Sequence, residues 1–325
     1  MLVAGGRIGS VLAMSDDPPH DPRTQALVDA LIEQEAPTGR TLAVLALRGG
    51  QVVAEGYAPT AGPETTLISW SMAKSVTHAL IGLLVGDGLI DVDDAAPVPE
   101  WRDDARASIT IQQLLNMRSG LRFVEDYVDD TVSDCIEMLF ASGKDDVAAY
   151  AAALPLEHQP GEVFSYSSGT TNILCRAAGQ LVGGGEDGMR AYLQARLCGP
   201  LGMTSADPRF DAAGTFIGSS FLYCTARDFA AFGELYRTGG GGLLPAGWTD
   251  HAWVPTPTPP TERHGYGAHW WRWDHIRGLC AQGYEGQRIL IVPERELTLV
   301  RLGKTVADDG PALDDYLSEI AESVG

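Results

Sequence analysis

The sequence predicts an α+β fold (an α/β sandwich) in which both chain ends build one antiparallel sheet and a helical lobe is inserted between its strands. Strand-like runs occur before residue 58 and again after residue 265, and helical segments fill the interval and flank the sheet at both ends. We expect residues 1–22 to be an N-terminal extension, residues 23–85 and 216–325 to form the sheet domain, and residues 86–215 to form the helical domain.

The first part of the sheet is predicted as a hairpin that follows a helix. Asp21 to Glu35 carries apolar residues at helical spacing. Two apolar runs follow, Thr41 to Arg48 and Gln51 to Tyr57, on either side of Gly49-Gly50. Because both glycines tolerate the positive φ of a tight turn, the two runs are predicted to pair as antiparallel strands.

The middle of the chain is predicted to be helical, and strands return near its end. Trp70 to Val85 is apolar on nearly every side, which is typical of a buried helix, and Gly86-Asp87-Gly88 ends it. Residues 109–203 keep a helical pattern, whereas Tyr266 to Trp273 is rich in strand-forming aromatic residues. Residues 288–292 and 297–302 flank a four-residue turn and predict a second hairpin, and residues 314–324 predict a closing helix.

Composition and charge disfavour several classes of partner. The 325 residues carry a formal charge of -20, so we expect no nucleic-acid partner and no membrane partner. The five cysteines are odd in number and include no Cys-x-x-Cys pair, which favours reduced thiols and a cytoplasmic location. Met1 to Ser15 lacks the regions of a signal peptide, and Met14 is an alternative start. The sequence leaves the oligomeric state open, a homodimer included.

The first candidate for chemistry is the string Ser69-Trp70-Ser71-Met72-Ala73-Lys74-Ser75. Residues three apart on a helix share a face, so the Ser71 hydroxyl and the Lys74 amine are expected to meet. A serine hydroxyl is a weak nucleophile until a neighbouring base takes its proton, and a buried lysine can be that base. The alternative is that Lys74 is a surface lysine, because a Ser-x-x-Lys string also arises by chance.

The second candidate is Tyr166, which lies in residues 164–172 just before a predicted helix. The helix dipole favours negative charge there, so the phenol is a candidate base or proton relay. The alternative is a Ser/Thr capping cluster with a packed tyrosine.

The third candidate is the string Gln282-Gly283-Tyr284-Glu285-Gly286-Gln287 before the last hairpin. Gly283 allows a substrate to approach the strand edge closely. The backbone N–H groups of Ser71 and Tyr284 are candidate donors to an oxyanion. The alternative is an ordinary connection between strands.

Together these strings resemble the serine β-lactamase and penicillin-recognising hydrolase family, in particular its class C-like branch, from about residue 24 to 320. Residues 88–91, 109–121, 199–203 and 225–230 support the resemblance. It implies the sheet-plus-helical-lobe fold and a catalytic triad of Ser71, Lys74 and Tyr166. In such a triad Ser71 is acylated while Lys74 and Tyr166 exchange protons.

Two departures from the family pattern narrow the expected substrate. The second motif is often Tyr-x-Asn, and here Ser168 takes the third place as a candidate substrate contact. The third motif is Lys-Thr-Gly in lactamases, and the matching residues here are Ala281-Gln282-Gly283. Since that lysine meets a substrate carboxylate, we expect a small carboxylic ester or a linear amide. The alternative is β-lactamase or D-amino-acid peptidase activity.

One branch of the family is more similar than the others. Residues 123–127 and 283–287 are similar to segments of 6-aminohexanoate-oligomer hydrolases and their esterase relatives. There the tyrosine of an acidic loop closes over the substrate, which implies that Tyr127 is a substrate contact. The alternative is that Tyr127 anchors the loop.

Other classes of function are less well supported. An α/β-hydrolase requires a Gly-x-Ser-x-Gly string, which does not occur. His264, His269 and His275 lack the spacing of a metal site, so we expect no metal and no cofactor. The alternative outside the enzymes is an inactive ligand-binding module on the same fold.

Overall fold

The computed structural model describes residues 21–34, 37–127 and 132–324. The expected N-terminal extension, including Met14, lies almost entirely outside them. In chain order the helices are α1 (Pro22–Glu33), α2 (Met72–Gly86), α3 (Ile111–Leu115), α4 (Asp134–Phe140), α5 (Val147–Ala153), α6 (Ser168–Val182), α7 (Gly185–Leu193), α8 (Gly199–Leu201), α9 (Ala226–Arg237), α10 (Trp248–His251) and α11 (Gly310–Ser323). The strands are β1 (Arg40–Arg48), β2 (Gln51–Tyr57), β3 (Leu67–Ile68), β4 (Asp207–Pro208), β5 (Leu222–Cys224), β6 (Gly265–Tyr266), β7 (Trp271–Trp273), β8 (Gly278–Gly283), β9 (Gln287–Val292) and β10 (Leu297–Lys304).

The main sheet joins the two ends of the chain. Its seven strands follow the order β2-β1-β10-β9-β8-β7-β6, and the neighbouring pairs are antiparallel. Strand β1 near the N-terminus pairs with β10 near the C-terminus, with Val44 opposite Arg301. Both glycines of the first turn have positive φ, 56° at Gly49 and 82° at Gly50. The predicted fold class and both predicted hairpins are therefore confirmed.

Helices cover both faces of this sheet. On one face α1 and α11 bury Val28, Leu31, Leu313 and Leu317 against the strands. On the other face α2 and α9 pack against β8, β9 and β10. Helix α6 packs against α2 and also contacts α3, α4, α5 and α7, so it is the centre of the helical lobe. Each large apolar side chain buried in this way contributes roughly 1.5–3 kcal/mol. Helix α2, which carries Lys74 and follows Ser71, thus lies between the sheet and the helical lobe.

Three details differ from the sequence prediction. Helix α2 begins at Met72 rather than at Trp70, because Trp70 has a φ of 43° and lies outside the helical region. Residues 266–273 form two short strands, β6 and β7, that pair with each other. A second sheet, ordered β3-β5-β4, was not predicted because strands of two or three residues are too short to show periodicity. Strand β3 leads directly into Ser69-Trp70-Ser71, so this small sheet helps to place the nucleophile candidate.

Candidate active site

Ser71 lies at the first turn of a helix whose residues from Met72 to Leu84 are all buried. Its side chain makes no capping hydrogen bond to the helix, so the hydroxyl is available for other contacts. The preceding residue, Trp70, holds a left-handed φ of 43°, which costs of order 1–3 kcal/mol for a non-glycine residue. Such strain at a helix start is common at functional sites.

Lys74 is buried, with 1% of its surface exposed, which argues against the surface-lysine alternative. Its Nζ lies 2.9 Å from Ser71 Oγ, 2.9 Å from Ser168 Oγ and 3.0 Å from the carbonyl oxygen of Ser219. The Ser219 carbonyl can only accept, so one amine hydrogen belongs to it. The Ser168 hydroxyl donates its own hydrogen to the Glu125 carboxylate, so it accepts the second amine hydrogen from Lys74. When the amine is neutral, its lone pair therefore faces the Ser71 hydroxyl and can take its proton.

Tyr166 lies beside this amine, with Lys74 Nζ 4.8 Å from the centre of its ring. It precedes the N-cap of α6, Ser167, as the sequence predicted. Burial raises the pKa of Tyr166, and the positive charge of Lys74 opposes that shift. The phenol is therefore protonated at neutral pH. Its ring packs against Trp271 at 5.5 Å and Tyr266 at 6.0 Å between centres, which fixes its direction.

Glu125 is the residue of this cluster that sequence reasoning missed. Its carboxylate, with 8% of the side chain exposed, lies 4.0 Å from Lys74 Nζ. One carboxylate oxygen accepts 2.6 Å hydrogen bonds from the hydroxyls of Ser168 and Tyr127, and the other accepts a 2.7 Å bond from the Ser168 backbone N–H. One sequence feature could have pointed to Glu125. It is an acidic residue in the segment from Phe123 to Tyr127, which the family resemblance had already linked to the site.

Ser168 was expected to contact the substrate. Its hydroxyl instead joins Lys74 to Glu125, and the residue is 1% exposed. A direct substrate contact of Ser168 stays a prediction.

Gly283 and Tyr284 come close to the start of α2 at the end of β8. A Cβ on Gly283 would lie 2.3 Å from the Ser69 carbonyl oxygen, so only glycine fits there. The Tyr284 ring meets Trp70 edge-on, with 5.7 Å between ring centres. The structure thus brings Gly283 and Tyr284 against Ser69 and Trp70, the two residues before Ser71. The oxyanion role of the Ser71 and Tyr284 N–H groups stays a prediction.

Tyr127 joins the same cluster from the acidic loop. Its ring lies 4.9 Å from that of Tyr284, and its hydroxyl is tied to Glu125. The residue is 39% exposed at the mouth of the site. Its position is compatible with both a substrate contact and a loop anchor.

A cavity of about 340 Å³ opens at Ser71. Helix α4 forms its far wall with Cys135, Ile136, Leu139 and Phe140, and the described lining residues carry no formal charge. A larger, more open cavity of about 620 Å³ lies elsewhere on the protein. Its three arginines are all paired with carboxylates, and Ser71 is not among its described lining residues, so it is not the candidate active site.

The described residues contain no cluster of His, Cys, Asp and Glu suited to a metal ion. His269 is instead buried, with its Nδ1 2.7 Å from the Leu115 carbonyl oxygen and its Nε2 2.9 Å from the Thr171 hydroxyl. Within residues 21–34, 37–127 and 132–324, no helix has the length and apolar character needed to cross a membrane.

Comparison with known proteins decides the family. The model of the family described as Beta-lactamase matches residues 28–322. The chain belongs to the Beta-lactamase family. The resemblance seen in the motifs is therefore confirmed, and the chain is a serine hydrolase of this family.

Relatives of this Beta-lactamase family member include amide hydrolases. The 6-aminohexanoate-dimer hydrolase of Paenarthrobacter ureafaciens is 26% identical over 335 residues, covering 92% of this chain and 84% of the relative. A Bacillus anthracis protein provisionally named 6-aminohexanoate-dimer hydrolase superposes with a TM-score of 0.79 at 21% identity, covering 91% of this chain and 81% of its own. A D-stereospecific amidohydrolase from Streptomyces superposes with a TM-score of 0.67 at 17% identity, covering 90% and 98% of the two chains. The two structures establish the shared fold.

Proposed function

We propose that this serine hydrolase cleaves a small carboxylic ester or linear amide through an acyl-enzyme on Ser71. The observation that carries the proposal is the 2.9 Å contact between Lys74 Nζ and Ser71 Oγ at a buried helix start. Lys74 and Tyr166 are the proposed proton-transfer groups, and the backbone N–H groups of Ser71 and Tyr284 are the proposed oxyanion donors.

The reaction proceeds in two halves. Lys74 takes the Ser71 proton as Oγ forms a bond to the substrate carbonyl carbon, and the carbonyl oxygen becomes an oxyanion held by the two backbone donors. Collapse breaks the bond to the leaving group, which receives a proton from the Tyr166 phenol, and Lys74 returns a proton to Tyr166. Water then attacks the acyl-enzyme by the reverse exchange and releases the acid and free Ser71.

The third motif supports an ester or linear amide over a β-lactam. Ala281 stands where lactamases of this family carry a lysine for the substrate carboxylate. Beyond Cys280, the described pairing of β8 involves β9 but not β7, so the other edge of residues 281–283 has no strand partner among the described residues. An extended substrate backbone fits such an edge.

The cavity at Ser71 supports an apolar acyl group. Its volume of about 340 Å³ lies near the lower end of the roughly 300–1,000 Å³ of small-molecule sites. Ile136, Leu139 and Phe140 offer hydrocarbon surface. The related Paenarthrobacter ureafaciens protein, named for hydrolysis of a 6-aminohexanoate dimer, supports the linear-amide arm of the proposal.

We also propose a small molecule as the partner of this site and a cytoplasmic location. All five cysteines are buried and free, which supports a reducing compartment. The acidic charge supports the absence of a nucleic-acid partner.

The test combines a fluorophosphonate probe with a substrate panel. We expect mass spectrometry to find the adduct on Ser71, and we expect turnover of p-nitrophenyl esters or a linear amide. A chromogenic cephalosporin as the best substrate would assign the protein to the β-lactamases instead. An intact, folded protein with neither adduct nor turnover would be a binding module.

A further inference from the structure

Two non-glycine residues with left-handed backbones flank the proposed oxyanion donors. Trp70 precedes the Ser71 N–H and has a φ of 43°, and Glu285 follows the Tyr284 N–H and has a φ of 58°. Left-handed φ is disfavoured for both residue types, so the surrounding structure must hold them there.

The side chains of these two residues are joined to each other. Trp70 Nε1 donates a 3.2 Å hydrogen bond to Glu285 Oε2 across 215 residues of sequence. The Trp70 ring also meets the Tyr284 ring at 5.7 Å, with the planes at 85°. The bond therefore connects the segment of one proposed donor to the segment of the other.

The opposite side of the 284–286 turn is held by a buried arginine. Arg301 is fully buried, and its Nη1 donates 3.1 Å hydrogen bonds to the carbonyl oxygens of Glu285 and Gly286. The Thr305 N–H donates a further bond of 3.0 Å to the Glu285 carbonyl. These contacts anchor the turn to Arg301 and Thr305, within and just after β10, and do not reach α2. Among the described residues, the Trp70–Glu285 bond is the side-chain hydrogen bond that connects the turn to the nucleophile segment.

We infer that the Trp70–Glu285 hydrogen bond is a positioning device that sets the separation of the Ser71 and Tyr284 N–H groups. The inference rests on the proposed function. Donors must lie about 2.7–3.1 Å from the developing oxyanion, and losing one such donor lowers kcat by roughly 10²–10³-fold. A bond that keeps both donors in place acts on kcat more than on KM, because the oxyanion exists only after attack begins.

The test uses three single variants, the double variant Trp70→Phe/Glu285→Ala and one matched control. Trp70→Phe removes the N–H and keeps an aromatic ring, Glu285→Ala removes the acceptor, and Glu285→Gln keeps an acceptor oxygen. Glu296→Ala is the control, because Glu296 also has a left-handed φ, 52°, but lies on the β9–β10 hairpin. For each we measure kcat and KM for p-nitrophenyl butyrate, the affinity of a boronic-acid transition-state analogue, and the melting temperature.

We expect Trp70→Phe and Glu285→Ala to lower kcat and analogue affinity together by roughly 10-fold to 100-fold, with KM within twofold. Glu285→Gln and Glu296→Ala should stay near wild type, and Trp70→Phe/Glu285→Ala should lose no more than either single variant. Folded Trp70→Phe and Glu285→Ala with wild-type kcat would overturn the inference while leaving the proposed function intact. The inference would also be overturned if Glu285→Gln lowered kcat as much as Glu285→Ala does. Additive losses of kcat in the double variant would overturn it too. A wild-type protein without a Ser71 adduct and without turnover would overturn both.

Discussion

The Ser168 hydroxyl donates a 2.6 Å hydrogen bond to Glu125 while it accepts one of 2.9 Å from Lys74. Because a hydroxyl has one hydrogen, its donation to the carboxylate fixes the direction of the bond from the amine. A continuous chain therefore runs from the Ser71 hydroxyl through Lys74 and Ser168 to the Glu125 carboxylate. The carboxylate end is buried and receives three hydrogen bonds, so it is a fixed part of the cluster.

Glu125→Ala is expected to lower kcat/KM by roughly 10-fold to 100-fold. Without its acceptor, the Ser168 hydroxyl is free to turn its hydrogen towards Lys74 and compete with Ser71 for the amine lone pair. Steady-state kinetics with a p-nitrophenyl ester measures the change. Glu162→Ala, at an exposed position, is the control and should keep wild-type kinetics. Full activity in folded Glu125→Ala would contradict the relay.

Lys74→Ala is expected to remove acylation of Ser71, with a loss of at least roughly 10³-fold in rate. The variant deletes the group 2.9 Å from the nucleophile. Labelling by a fluorophosphonate probe over time measures it directly. Lys144 is exposed and gives the matched control, since Lys144→Ala changes the same residue type outside the site. Wild-type labelling of the Lys74 variant would remove lysine from the mechanism.

Tyr166→Phe is expected to slow the hydrolysis of amides more than the hydrolysis of activated esters. Burial raises the pKa of the Tyr166 phenol, so it is protonated and able to supply the leaving group with a proton. An amine must be protonated to leave, whereas p-nitrophenolate leaves without help. General acid catalysis is worth roughly 10²–10⁴-fold, and we expect most of that loss with a linear amide and a small part of it with the nitrophenyl ester. Equal losses for both substrates would contradict the role of Tyr166 as an acid.

The acyl cavity yields a prediction about chain length. Each buried methylene contributes about 0.8 kcal/mol, so kcat/KM should rise roughly fourfold per methylene from acetyl to butyryl esters. Ile136→Trp narrows the cavity and should reverse that order while keeping acetyl ester activity. Val306→Trp, at a residue with 67% exposure away from the cavity, controls for the added indole. A flat chain-length profile in wild type would mean that the acyl group does not enter this cavity.

The sequence predicted those parts of the site that rest on local spacing. Ser71 and Lys74 meet because they lie three residues apart on one helix, and Tyr166 was placed by the start of α6. Glu125 could not be found in the same way, because its partner Ser168 is 43 residues distant and the contact depends on how the loop folds back. The link between Trp70 and Glu285 spans 215 residues and is likewise a product of tertiary packing.

The fold, like the site, has parts that follow from local sequence signals and parts that depend on tertiary packing. The Gly49-Gly50 hairpin and the buried helix α2 follow from local signals in the chain. A single sheet from both chain ends was predicted because strand patterns occur at both ends. The pairing of β1 with β10 and its register, with Val44 opposite Arg301, have no local signal. The left-handed Trp70 that shortens α2 is imposed by its surroundings rather than by its own preference.

His269 predicts how stability depends on pH. Burial lowers the pKa of His269 to about 3, with the Leu115 carbonyl opposing the shift, whereas an unfolded histidine has a pKa of about 6.5. Between these values the unfolded chain binds a proton that the folded protein does not. The contribution to stability is therefore complete above about pH 6.5 and declines as the pH falls towards 3. At pH 5 the loss from this one group is about 2 kcal/mol. Burial also lowers the pKa of His78, so this residue too makes the folded protein less stable as the pH falls.

Denaturant unfolding at pH 8, 6.5 and 5 measures this loss as a decrease in the free energy of unfolding. His269→Asn keeps a residue that tolerates the left-handed φ of 56° at this position and removes the titrating ring. We expect the variant to be less stable at pH 8, because the hydrogen bonds of the imidazole ring with Leu115 and Thr171 are lost. Between pH 8 and 5, however, it should lose about 2 kcal/mol less than wild type. His158→Asn, at an exposed histidine, should keep the wild-type slope. A wild-type slope in His269→Asn would show that the loss arises at other groups.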